Sequence, residues 1–236
     1  MTEAERRGRL TNWLEIIFAD LQQLLLNDHL FWEFQRIVDR NDEFLNASGL
    51  FTQFIAQAYA QSAAVGIRRH AKADNDSISV MRFLREVRDH PEIVSRSHYI
   101  GLYEAKEGFH IEIGQRDFDR VAGVGAFHVP AALAEQQICE VKGVAAGVEH
   151  YVDRRVAHHD KRDLAKPLPK FSDLTDALKA LEKVVILYWR LLKGPSMRTI
   201  VPIIMYDWMD IFRFPWQPKA SLAAEAVEFG NQESEK

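Results

Sequence analysis

The chain has 236 residues, of which 47% are hydrophobic and 27% are charged, and these proportions are ordinary for a globular protein. Its formal net charge of −4 argues against a wholly basic surface for duplex DNA, although a local basic patch is compatible with that total. The single cysteine, Cys139, excludes an internal disulfide framework and a cysteine-based zinc site, and its place in an apolar helical pattern predicts a core position.

The first predicted elements are three helices. Apolar residues at helical spacing predict an amphipathic helix over 9–27 and a second helix over 29–45. Asn46 or Ser48 is expected to cap a third helix, which runs to about Lys72.

The third helix contains the longest uncharged run of the chain, between Glu43 and Arg68. Its length would span a bilayer, but Gln53, Gln57 and Gln61 form a polar stripe that fits a helix of a soluble bundle better. The first ten residues lack the apolar segment of a secretory signal. We therefore expect a cytoplasmic protein with no membrane association.

A turn and a fourth helix follow. Ser77 or Asp76 is expected to cap this helix, over 78–90, which ends before Pro91. Five glycines punctuate residues 91–128, and "FHIEIG" alternates like a short strand, so this stretch is predicted to be an irregular insertion.

Two long helices are predicted in the second half. The first has Pro130 in its first turn and continues over 131–159. The second begins at Ser172 or Asp173 and ends at Gly194.

The chain lacks βαβ alternation and internal repeats, so the predicted fold class is all-α. Residues 1–194 are expected to form one helical domain and 195–236 a C-terminal extension with a partly disordered tail. Within that extension, residues 199–216 fit a short strand followed by a helical turn, and the pattern leaves the choice open.

The segment "YVDRRVAHHDKRD", residues 151–163, carries the candidate chemistry. Arg154 with His158 and Arg155 with His159 are each one helical turn apart, so either pair can place a guanidinium and an imidazole on one face. Such a pair suits RNA cleavage without a metal, because the guanidinium binds phosphate oxygens and the imidazole transfers a proton. One chain supplies a single Arg–His pair, which can act as either the acid or the base. Two copies across a two-fold axis would supply both.

Two other interpretations of this segment stay open. Arg, Lys and His side chains also favour the negative end of a helix dipole and would then be a solvated helix terminus. A metal site would draw on His150, His158, His159 and Asp160, although His150 lies two turns from His158.

The motif "RRVAHHDKR" resembles the Arg–(four to six residues)–His signature of the HEPN superfamily, and the most similar subgroup is the abortive-infection, AbiU-like one. "IRRHAKADNDSISVMRFLREV", residues 67–87, and "VAHHD" resemble further segments of that subgroup, and the resemblance covers roughly 10–190. It implies a HEPN-like helical bundle that acts as a homodimeric, metal-independent endoribonuclease without a cofactor, often as a toxin or antiphage effector. A cognate antitoxin or regulatory protein is a further expected partner.

The spacing selects Arg154 and His159 as the predicted catalytic pair, because four residues separate them, with His158 and Arg155 as alternatives. If the histidine is His158, the position of the arginine falls on Asp153. A catalytically inactive, nucleotide- or protein-binding HEPN-like module is therefore the alternative function. The basic residues expected to contact RNA phosphates are Lys161, Arg162, Arg68 and Arg69.

Overall fold

A computed structural model of the chain describes residues 2–41, 49–74, 76–104, 110–153, 168–194 and 197–213. This part of the chain is built from α-helices and two 3-10 helices, at 91–93 and 208–213, and it contains no β-strand. The predicted all-α class is confirmed. The α-helices are α1 (Glu3–Asp39), α2 (Gly49–Ala71), α3 (Val80–Asp89), α4 (Arg96–Glu104), α5 (Ile111–Ala122), α6 (Ala131–Tyr151) and α7 (Phe171–Lys193).

Helix α1 is continuous, so the prediction of two helices in this region is wrong. The polar residues between the two apolar patterns include no glycine or proline, and Asp28 among them is held by other helices. Its carboxylate accepts hydrogen bonds from the hydroxyl of Tyr59 on α2 and from Oγ1 of Thr175 on α7, the latter at 2.7 Å. These tertiary contacts offset the low helix propensity of Asp28.

The third predicted helix is confirmed as α2, whereas its expected caps, Asn46 and Ser48, lie outside the described residues. The cap of α3 is Ser79 rather than Ser77 or Asp76. Oγ of Ser79 accepts from the backbone N–H of Arg82 at 3.1 Å and donates to the carbonyl of Lys72 at 2.6 Å. Because Ser79 is fully buried, its one hydroxyl ties the end of α2 to the start of α3.

Residues 91–128, predicted to be irregular, are instead largely helical, since they contain α4 and α5. The alternation of Ile111 and Ile113 does not form a strand, because the buried positions of α5, Gly114 and Phe118, are one helical turn apart. Gly114 allows α5 to approach α4, and a Cβ at this position would lie 2.9 Å from the ring of Tyr103. The glycine therefore marks close helix packing rather than a loop.

The start of α6 and both ends of α7 lie at or within one residue of their predicted positions. Pro130 is the N-cap of α6, and α7 begins at Phe171, one residue before the predicted start. Gly194 ends α7 with a φ of 115°, which glycine adopts without strain. The predicted continuation of α6 to His159 lies outside the described residues beyond Asp153.

The core lies where α1, α2, α3, α6 and α7 pack together, and Cys139 is not part of it. The buried stripe of α6 includes Ile138, Val141 and Val148, and Cys139 follows Ile138 by about 100° around the helix. Its side chain is therefore exposed, and the predicted core position is wrong.

The chain divides into two compact units, Met1–Val201 and Pro202–Lys236. In the described part of the second unit, Arg213 forms ion pairs with Asp207 and Asp210 in and beside the 3-10 helix. Residues 202–213 contain no strand, and a 3-10 helix spans Trp208–Arg213, so the predicted helical turn is present there and the predicted strand is not. None of the helices described in either unit is long and apolar enough to cross a membrane.

Candidate functional site

The C-terminal ends of α2 and α6 meet at a group of four charged residues, which we call the charge cluster: Arg68, Lys72, Glu149 and Asp153. The carboxylate of Asp153 is ion-paired with Nε of Arg68 and with Nζ of Lys72, the latter at 3.0 Å. The cluster lies immediately before the candidate Arg–His segment, because Asp153 is followed by Arg154.

Helical spacing explains why these residues face one another. Arg68 and Lys72 are four residues apart where α2 ends at Ala71, and Glu149 and Asp153 are four residues apart where α6 ends at Tyr151. Each helix therefore presents a pair of like charges on one face, and the two pairs are of opposite sign. Basic residues at the end of α2 also interact favourably with its helix dipole.

The two carboxyl groups of the charge cluster have pKa values shifted in opposite directions. Burial alone would raise the pKa of Asp153, but hydrogen bonds from Lys72 and Arg68 outweigh it and hold the pKa below its usual value. Burial raises the pKa of Glu149, and the nearby charge of Lys72 offsets only part of that effect. Asp153 is thus held as an anion, whereas the raised pKa of Glu149 means that it retains its proton to higher pH than an exposed glutamate does.

Arg69 points away from the charge cluster. Its Nη2 lies 2.7 and 2.5 Å from the two carboxylate oxygens of Asp20 on α1, and Nε2 of the adjacent, buried His70 lies 2.8 Å from the same carboxylate. Arg68 and Arg69, both expected to bind phosphate, therefore face different partners on different helices. Of the two, Arg68 is the one placed beside the start of the candidate segment.

Acid is expected to weaken the contact between Asp20 and His70. The hydrogen bond with His70 holds the pKa of Asp20 below its usual value of 3.8. The carboxylate therefore stabilises the fold fully above that value, and this contribution is lost as the pH falls through the lower, folded-state pKa. Urea unfolding at about pH 5 and about pH 3 should show a smaller loss of unfolding free energy for Asp20→Asn than for wild type. The control Asp76→Asn changes an exposed carboxylate, so its unfolding free energy should fall as much as that of wild type between the two pH values. Equal losses in wild type and both variants would contradict the role of Asp20 in this pH dependence.

The residues predicted to carry out catalysis, Arg154, Arg155, His158 and His159, lie outside the described residues, as do Lys161 and Arg162. Of the metal-site alternative, the structure describes only His150, which is half-buried on α6. Within the described ranges, no three His, Cys, Asp or Glu side chains are grouped as metal ligands.

Sequence reasoning missed Lys72, Glu149 and Asp153 as members of the site. The sequence could have indicated the two carboxyl groups, because Glu149 and Asp153 are one helical turn apart directly before Arg154. Their partners on α2 were not visible in the sequence, because more than 75 residues separate the two pairs and only helix packing joins them.

The comparisons with known proteins agree with the resemblance in the sequence. The model of the HEPN_AbiU2 family, described as AbiU2, matches residues 10–199, which include both the charge cluster and the candidate segment. No curated protein and no solved structure matches the chain. Because the family match covers most of the sequence and the structure is all-α, the chain belongs to the HEPN AbiU2 family.

Proposed function

We propose that the chain is a metal-independent endoribonuclease of HEPN type that acts as an abortive-infection effector. Arg154 and His159 are its catalytic pair, with Arg155 and His158 as the neighbouring alternatives. The observation that supports this proposal best is the charge cluster, because it holds the end of α6 by ion pairs at Asp153, directly before Arg154. A catalytic pair requires such a supported position, since small displacements of reacting groups reduce rates strongly.

The proposed reaction uses the 2′-hydroxyl of the RNA as the nucleophile. One histidine accepts the 2′-hydroxyl proton while the oxygen forms a bond to phosphorus, and the bond from phosphorus to the 5′-oxygen breaks. A second histidine donates a proton to that leaving oxygen, and Arg154 stabilises the charge gained by the phosphate oxygens. The products are a 2′,3′-cyclic phosphate and a 5′-hydroxyl end.

The proposal includes a homodimer, because a single Arg–His pair supplies either the acid or the base. RNA phosphates would bind Lys161 and Arg162, and also Arg68 when a phosphate displaces Asp153 from it. RNA is the proposed substrate, and a cognate antitoxin or regulatory protein is the proposed partner that restrains the activity.

The proposal is tested by incubating the purified chain with RNA in EDTA. Cleavage should continue, and the fragments should carry 2′,3′-cyclic phosphate ends. RNA that stays intact with and without divalent cations would contradict the proposal, and loss of cleavage upon chelation would favour a metal-dependent site instead.

The alternative function, a catalytically inactive binding module, is favoured by one specific observation. If His158 is the histidine of the motif, Asp153 occupies the arginine position, and there it is engaged by Arg68 and Lys72. A carboxylate in that position would repel phosphate rather than bind it. This alternative predicts nucleotide or protein binding without RNA cleavage, which binding assays on the same preparation would detect.

A further inference from the structure

Helix α2 has an exposed side that carries no charge. Between Gly49 and Ile67 the sequence contains no acidic or basic residue, and the outward positions recur at helical spacing. Leu50 is 85% exposed and Phe54 is 62% exposed. We call this surface the α2 face, and it consists of Leu50, Gln53, Phe54, Gln57, Gln61 and Val65.

The α2 face continues into an apolar groove. Its three glutamines line a cavity of about 420 Å³ together with Leu168, which precedes α7, and Phe171, the first residue of α7. The ring of Phe171 packs against Phe31, with a centroid distance of 4.9 Å, yet 38% of this residue is exposed. Exposed apolar side chains therefore extend from α2 across the groove to α7.

We propose that the α2 face and this groove are the surface on which a second copy of the chain docks. An exposed helix surface of a monomer normally carries charged side chains, whereas the centres of protein interfaces are depleted of them. RNA and anionic lipid surfaces bind through lysine and arginine, which the α2 face lacks.

Self-association fits the chemistry of the α2 face. Around a two-fold axis the same patch meets itself, so a charge close to the axis would oppose an identical charge, and a charge elsewhere in the patch would be buried without a charged partner. An uncharged face avoids that repulsion. The carboxamides of Gln53, Gln57 and Gln61 both donate and accept hydrogen bonds, and they can therefore pair with the same residues of the second copy.

The exposed area approaches that of a stable interface. Such an interface needs about 800 Å² from each partner. A large aromatic side chain buries roughly 150–250 Å² when it is fully covered. Leu50, Phe54, Leu168 and Phe171, together with the exposed glutamines, supply most of that area, because all of them are accessible in the single chain.

This inference deepens the proposed function and rests on its requirement for two copies, since it names the surface that joins them. It also links that surface to the charge cluster. Helix α2 carries the α2 face along its length and Arg68 at its C-terminal end. One rigid helix therefore connects the contact with the second copy to the ion pair at Asp153.

The oligomeric state of the full chain, measured by sedimentation without RNA, tests the inference. Wild type should be a dimer at micromolar concentration. Leu50→Glu and Gln57→Glu should each weaken dimerisation at least about tenfold, because each buries a carboxylate without a charged partner in the uncharged interface. Phe127→Glu is the matched control, because Phe127 is 86% exposed on the loop between α5 and α6 and belongs neither to the α2 face nor to the lining of the groove. This variant should dimerise like wild type.

A mixing experiment separates lost docking from misfolding. Gln57→Glu protein mixed with Gln57→Lys protein should recover dimers, because opposite charges then face each other across the axis. A wild-type monomer at about 100 μM would overturn the inference, as would a dimer that Phe127→Glu disrupts and Gln57→Glu does not. RNA cleavage is measured separately, so a dimer without nuclease activity would contradict the proposed function and leave this interface supported.

Discussion

RNA cleavage in EDTA is expected to fall by about 100- to 10,000-fold in a His159→Ala variant, because general acid–base catalysis contributes a factor of that size. Arg154→Ala should reduce the rate by about 100- to 1,000-fold, because it removes a fixed positive charge from the transition state. Rates measured with one labelled RNA under single-turnover conditions check both values.

Matched controls decide whether these losses are specific to the site. His110 and Arg85 are exposed residues at the start of α5 and on α3, and His110→Ala and Arg85→Ala should cleave RNA like wild type. His158→Ala tests the alternative pairing, and the larger loss of the two histidine variants identifies the catalytic one. If Arg154→Ala and His159→Ala both cleave as fast as wild type, the assignment of this pair is wrong.

Removal of the Tyr188 side chain is expected to lower the free energy of unfolding by about 3–5 kcal/mol, the usual cost of truncating a large buried ring. Tyr188 is fully buried in α7, and its ring meets Phe83 of α3 edge-on, with a centroid distance of 5.1 Å. Its hydroxyl donates to Oε1 of the buried Gln137 on α6 at 2.9 Å. Burial raises the pKa of Tyr188, so the hydroxyl stays a neutral donor. Urea unfolding of Tyr188→Ala measures the effect.

Two milder variants separate packing from hydrogen bonding at Tyr188. Tyr188→Phe should cost about 1–3 kcal/mol, because it leaves the buried carbonyl oxygen of Gln137 without its donor. Tyr188→Phe combined with Gln137→Leu should cost less than the sum of the single changes, since the second change removes that unsatisfied group. Simple additivity would show that the hydrogen bond contributes little, and a Tyr188→Ala cost below about 1 kcal/mol would contradict the buried position.

Local sequence patterns predicted most of the helices. They failed where contacts between distant residues determine whether a helix continues or how closely two helices pack. The apolar spacing identified α2, α6 and α7, and Gly194 marked the end of α7, because these signals act within one or two turns. The predicted break in α1 is absent because Tyr59 and Thr175 satisfy Asp28. The stretch around Gly114, predicted to be irregular with a strand-like alternation, is a helix whose glycine allows Tyr103 to pack closely.

The sequence by itself determined the all-α class, the resemblance to the HEPN family and the position of the Arg–His segment, because these depend on the order and spacing of neighbouring residues. Only the tertiary structure decided that Arg68 and Lys72 pair with Asp153, that Arg69 instead faces Asp20, and that an uncharged side of α2 is exposed. The physical reason is that an ion pair or an exposed face depends on which helices pack together. That packing comes from apolar contacts across the whole chain rather than from the residues that form the site.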